Sequence, residues 1–223
     1  MGFKEESLNY LLSRQKELYT LYEEEVKGYV DFIRQRWVLN PVPILNELRD
    51  FHDHMARCFL LPEGTPGSLK IIKRQTGMAE GHLVRCQLDC YKYIWYYLGK
   101  DVRRKYRLPL LFSKLTCGAG TDTSVLSAYV HLMHEAKDKN MRARFLESTD
   151  KRESFKLYAE SLNSLAKLDK NYETHKYSMW ITSLLMAVLL VLVLVGMAVP
   201  AIKFVAQHWD TIMQCLQRMS SVL

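Results

Sequence analysis

The stretch Trp180–Ile202, WITSLLMAVLLVLVLVGMAVPAI, holds no charged residue. As a helix rising ~1.5 Å per residue it reaches ~34 Å, enough to cross a ~30 Å hydrocarbon core. Its centre is almost wholly Leu, Val, Met and Ala, and a run this long is rarely the core helix of a soluble domain. Tyr177 and Trp180 supply interfacial aromatics at one end, with Lys176 just outside, and Pro200 and Lys203 mark the other. The expectation is a single transmembrane helix over 177–202. A helical domain over 1–176 precedes it and an amphipathic tail over 203–223 follows. The fold class expected is therefore all-α: a multi-helix cytoplasmic bundle with one C-terminal transmembrane helix and a tail helix.

Of the 223 residues, those before the span suffice for one compact domain with its own core. The net charge of +7 is carried almost wholly there, because only Lys203, Asp210 and Arg218 are charged beyond the span. Such a balance suits anionic lipid headgroups or a nucleic acid without choosing between them. Near the span, Lys167, Lys170 and Lys176 on the N-terminal side face Lys203 and Arg218 on the other. The positive-inside rule then puts the N-terminal domain in the cytoplasm. No apolar segment opens the chain, so no cleaved signal peptide is expected, and Glu6 stands where a myristoylation site needs Ser or Thr. The five cysteines, Cys58, Cys86, Cys90, Cys117 and Cys215, read as reduced thiols, mostly within apolar helical patterns.

Periodicity predicts a first helix over Ser7–Trp37, along which Leu8, Leu11, Leu18, Tyr22, Val26, Tyr29, Ile33 and Trp37 form one stripe. Asn40-Pro41-Val42-Pro43 ends it, and a second helix follows over Ile44–Leu61. After the turn residues Pro62 to Gly67, a third runs from Leu69 to about Leu98, with Gly99 as its terminator. The basic run Lys100 to Arg107 then reads as a solvated face, a lipid contact or a nucleic-acid contact. Gly118 to Ser124 reads as a loop ending in a cap for a helix over Val125–Ala136. A last helix from about Asp150 has no Gly or Pro before Trp180, so it can enter the membrane unbroken. In the tail, Ile202, Val205, Trp209, Ile212, Leu216, Met219 and Leu223 alternate steps of three and four. That pattern fits an oligomer seam or a helix lying at the far interface.

Two polar strips match. In the second helix Glu47, Asp50, His54 and Arg57 fall at the same relative offsets as His82, Arg85, Asp89 and Lys92 in the third. At ~100° per residue each set spans about 80° of a helix that is otherwise apolar. Either each strip is the solvent face of an amphipathic helix, or the two form a shared pocket in which His54 or His82 moves protons. If the strips are structural, Asp50 and Asp89 are each expected to pair with a basic neighbour. No metal and no cofactor is expected. His52 and His54 diverge by about 200° on a helix, and His82, Cys86 and Cys90 share a face without a fourth ligand.

The segment Asn46 to His54 reads NELRDFHDH. Arg49-Asp50 followed by His54 resembles the R-x4-6-H motif of the HEPN superfamily, in which a polar residue often follows the arginine. The resemblance implies an all-helical, commonly dimeric bundle. It also implies either a metal-independent ribonuclease of a defence or toxin system or an inactive scaffold. It makes Arg49 and His54 a catalytic pair accompanied by Asp50, and it implies a bacterial inner membrane as the location. Three functions stay open: a membrane-anchored, self-associating effector or scaffold, a membrane-tethered ribonuclease, and an oligomeric pore. The expected partners are the lipid bilayer and further copies of the chain, with RNA, a nucleotide or another protein as candidates.

Overall fold

The computed structural model describes residues 5–62, 65–115 and 123–220. The elements in order are α1 (Glu5–Leu21), a widened π turn (Tyr22–Lys27), α2 (Gly28–Trp37), α3 (Val42–Phe59), α4 (Ser68–Leu115), α5 (Thr123–Leu146) and α6 (Lys151–Ser220). Every regular element among the described residues is helical, and α6 carries the one stretch long and apolar enough to cross a membrane.

The first helix is not uniform, for a reason in the spacing of its apolar residues. In a regular helix Val30 would lie ~120° round from Leu18. The widened turn absorbs that drift, and Leu18, Val26, Val30 and Ile33 are all buried. Val38 closes α2 with φ 52°, and its amide donates to the Arg34 carbonyl at 3.0 Å. Prolines at 41 and 43 open α3, where a missing amide costs nothing.

Two of the expected helix ends fall short of the observed ones: α4 continues past Leu98 to Leu115, and α5 continues past Ala136 to Leu146. Gly99 does not end α4. Ile94, Leu98, Val102 and Tyr106, every fourth residue, stay buried past it, and continuity of that stripe outweighs one glycine. Pro109 also lies inside α4. Likewise α6 runs through Pro200, and only His208 (φ −110°, ψ 15°) leaves helical geometry. The expected loop over 118–122 lies outside the described residues, as do the side chains of Val205, Ile212, Leu216, Met219 and Leu223 in the tail pattern.

The chain divides into two compact units. The first comprises Met1–Arg103 with His131–Asp169. In it, one cluster joins Leu11, Cys58 and Ile72, and another joins Tyr91, Ala143, Leu157 and Tyr158. Within this unit α5 and α6 run antiparallel in a close register. Ser154 Oγ donates to the Ala143 carbonyl at 2.8 Å, and Ser161 Oγ donates to the Ala136 carbonyl at 2.6 Å. Both pairs step by seven residues, so small side chains recur along the crossing and the serines bond backbone that is otherwise packed against. Arg36 bonds Asp169 at 2.9 Å, and Trp37 Nε1 donates to Asp101 at 2.9 Å, tying the end of α2 to α6 and α4. The second unit comprises Arg104–Val130 with Lys170–Leu223. There Tyr106 stacks on Tyr129 at 4.5 Å and meets Tyr172 edge-on at 5.5 Å.

Candidate functional site

The upper parts of the two polar strips face each other across α3 and α4. Glu47 Oε2 lies 2.8 Å from His82 Nδ1 and accepts from Arg85 Nε at 2.9 Å. His54 is buried, 7% exposed, with Nδ1 2.7 Å from Gln75 Oε1. The His54 and His82 rings stack with centroids 5.1 Å apart. These five side chains form one network between two helices whose flanking positions are apolar: Phe51, Met55 and Cys58 on α3, and Leu83, Cys86 and Cys90 on α4, are all buried.

One atom in the network has two neighbours and can serve one at a time. His82 Nδ1 is 2.8 Å from the Glu47 carboxylate and 2.8 Å from Arg85 Nη2. With a proton it donates to Glu47; without one it accepts from Arg85. Either tautomer leaves the ring nitrogen a partner. That is the chemistry the cluster can perform: it can hold a proton at Nδ1 of His82, beside a second imidazole and a guanidinium.

The lower parts of the strips separate. Arg49, its side chain 66% exposed, lies 3.2 Å from Asp50 Oδ1. Arg57 is exposed. Arg49 and His54 lie ~140° apart around α3, as five residues require. His54 faces Gln75, whereas Arg49 faces solvent and Asp50. Asp50 pairs with Arg49 but is not buried, its side chain being 38% exposed. Asp89 has Lys92 and Arg85 nearby, and Lys92 donates to Glu147 at 2.8 Å. Glu147 also accepts from Tyr158, a bond that joins the turn after α5 to α6. Burial pushes the Glu147 carboxyl up, but its bonds from Lys92 and Tyr158 outweigh that and leave it below its ordinary value. Burial pushes the Asp89 carboxyl up, against the pull of Lys92.

Gln75, the partner of His54, was not among the sequence candidates. It sits seven residues before His82, so the α4 strip extends one heptad further toward the N-terminus, and that period is the signal that finds it. His52 turns away from His54 as its spacing requires, its Nδ1 3.3 Å from the Tyr19 hydroxyl on α1. Among the described residues no three of His, Cys, Asp and Glu converge as metal ligands would. A hydrogen bond with Cys86, together with burial, pushes the Cys90 thiol up, and burial does the same to Cys58. Both stay protonated and unreactive near neutrality. In comparison with known proteins, no family model, no curated protein and no solved structure matches the chain.

Proposed function

We propose that the chain is a membrane-anchored, self-associating helical scaffold or effector whose N-terminal helical domain lies in the cytoplasm. The observation that carries this reading is the uncovered apolar surface of α6. From Ile181 to Val199 its Leu, Val and Ile side chains are 44% exposed or more, and no described part of the chain buries that stretch. Left in water so large an apolar surface would drive aggregation, whereas a bilayer covers it along its whole length. Orientation follows from Lys167, Lys170 and Lys176 before the span.

A scaffold is favoured over an enzyme because Glu47, His54, Gln75, His82 and Arg85 of α3 and α4 already bond one another. By its Arg49-to-His54 resemblance the chain would be, in this reading, a HEPN-like effector of a defence or stress system. Three measurements test it. Alkaline carbonate should leave the full-length protein in the membrane pellet, and chemical cross-linking should give oligomers. Changing Trp209 and Leu216 together to Asn should reduce the oligomer mass in detergent, because two positions of the tail seam lose apolar packing. Release by carbonate would remove the anchor, and a monomer throughout would remove self-association.

One observation favours a second reading, a membrane-tethered metal-independent ribonuclease. Two stacked imidazoles beside the Arg85 guanidinium offer acid–base and charge-stabilising groups within one cluster. By the resemblance, Arg49, Asp50 and His54 would act on RNA. Folded wild-type protein should then cleave RNA, and Arg49→Ala and His54→Ala should abolish cleavage while staying folded. A folded wild type that leaves RNA intact removes this reading.

A further inference from the structure

Within the first unit a cavity of about 330 Å³ lies among the widened turn, α2, α4 and the first part of α6. Glu24 and Phe32 on its lining are exposed, whereas Ile94 and Leu98 are buried, so it runs from the surface into the core. Tyr29 and Leu162 add to an apolar, partly aromatic wall. Gly28 leaves that wall open, since a Cβ there would meet nothing within 4 Å. Besides the Tyr29 hydroxyl, which donates to Tyr91, the polar groups on the lining are those of Glu24 and Asn163. Among the described residues no Lys, Arg or His lines it. The chain has three consecutive glutamates here, and two are engaged elsewhere. Glu23 accepts from Lys27 at 2.7 Å, and Glu25 accepts from Gln87 Nε2 at 3.2 Å. Among the described residues no hydrogen bond or ion pair engages Glu24. The turn that carries it is the widened one, and such turns recur at functional sites.

We infer that this cavity binds a small organic cation, a primary ammonium on an aromatic body, with the ammonium at Glu24 and the body against Tyr29, Phe32 and Leu162. Every lining residue belongs to the first unit, so the site is independent of how α6 is anchored. The volume lies at the lower end of the ~300–1,000 Å³ of ligand pockets, which fits a molecule of one ring and a short chain. An ammonium brings only N–H donors, and the two polar side chains on the lining offer acceptors, the Glu24 carboxylate and the Asn163 amide oxygen. Aromatic walls favour a cation further. An anion of the same size would meet the Glu24 carboxylate with no cation on the lining to offset it. A neutral molecule would gain the apolar contacts but nothing from Glu24.

The test uses full-length protein in phosphatidylcholine nanodiscs, whose zwitterionic lipid does not itself attract a cation. Three probes of matched shape are titrated by saturation-transfer NMR against empty-nanodisc blanks: 2-phenylethylammonium, 2-phenylethanol and 3-phenylpropanoate. The wild type should bind the ammonium saturably and about fivefold more tightly than the alcohol, the upper end for an ion pair at an exposed carboxylate. The propanoate should bind most weakly. Glu24→Gln should lower affinity for the ammonium about fivefold and leave the alcohol unchanged. Glu23→Gln removes a neighbouring carboxylate that is off the cavity and already engaged by Lys27, so it should change neither. Gly28→Leu should weaken all binding. Its Cβ has room and leucine favours a helix, so the variant should keep the wild-type circular dichroism. Equal affinity for ammonium and alcohol, or tighter binding of the propanoate, overturns the inference. So does an equal loss in Glu23→Gln and Glu24→Gln, or unchanged binding in a folded Gly28→Leu protein. Displacement of the ammonium by an octalysine peptide assigns the cavity to a protein cation and overturns it too.

Discussion

Removing Glu47 would take away the acceptor that joins His82 and Arg85 of α4 to α3, leaving those two side chains only each other and solvent. Glu47→Ala is therefore expected to cost about 1–3 kcal/mol, as for other partly buried charged bonds. Arg49→Ala, at an exposed site two residues away, should stay within about 0.5 kcal/mol. Chemical denaturation in detergent, followed by circular dichroism, measures both, and equal losses would contradict the network. Asp89 gives the opposite sign. Its carboxyl is pushed above the ordinary value by burial, so its native state binds a proton more tightly than its unfolded state does. The stability it contributes is complete at low pH and is lost as pH rises through the raised native value. Asp89→Asn should then be as stable as the wild type in acid and more stable at neutral pH, read as a widening gap in Tm. Much of the candidate site could be read from sequence, since one period placed Glu47, His54, His82 and Arg85 on facing strips. Sequence did not show which carboxylate each cation would choose. Lys92 has Asp89 three residues away on its own helix, but it bonds Glu147 in the turn after α5, and only the fold brings that residue near.

Helix α2 ends on a β-branched residue in left-handed geometry, Val38, which is 89% exposed and gains no packing there. Such a residue bears roughly 1–2 kcal/mol of strain. Val38→Gly removes it against ~0.5–1 kcal/mol of added chain entropy, for a net gain of up to ~1.5 kcal/mol. A lower unfolding midpoint would contradict that geometry. The α5–α6 crossing makes the reverse prediction. Ala143 is fully buried and its carbonyl accepts from Ser154, so Ala143→Leu should cost about 1–3 kcal/mol by overpacking. Helix existence could be read from sequence wherever an apolar stripe ran long. The ends could not, because Gly99 is a strong local stop signal that longer-range packing overrides, and α5 continues past Ala136 to Leu146. The widened turn at Tyr22–Lys27 was hidden for a related reason: a phase slip between Leu18 and Val30 looks like an ordinary stripe until the core fixes which face is inside.

At the scale of the molecule, the central claim is that α6 crosses a bilayer once, with the larger unit on the cytoplasmic side. The charge asymmetry that orients it is small, so the claim turns on where each side of the span resides. Lys16, on α1, and Gln207, beyond the uncharged stretch, are both exposed. Each can be changed to Cys singly in a chain lacking Cys117 and Cys215, because Cys58, Cys86 and Cys90 are buried. Intact cells expressing either protein are then treated with a membrane-impermeant maleimide. The account predicts that the Gln207→Cys protein is labelled from outside, and that the Lys16→Cys protein is labelled only after permeabilisation. Labelling of both from the same side, or of Lys16→Cys alone in intact cells, would contradict it.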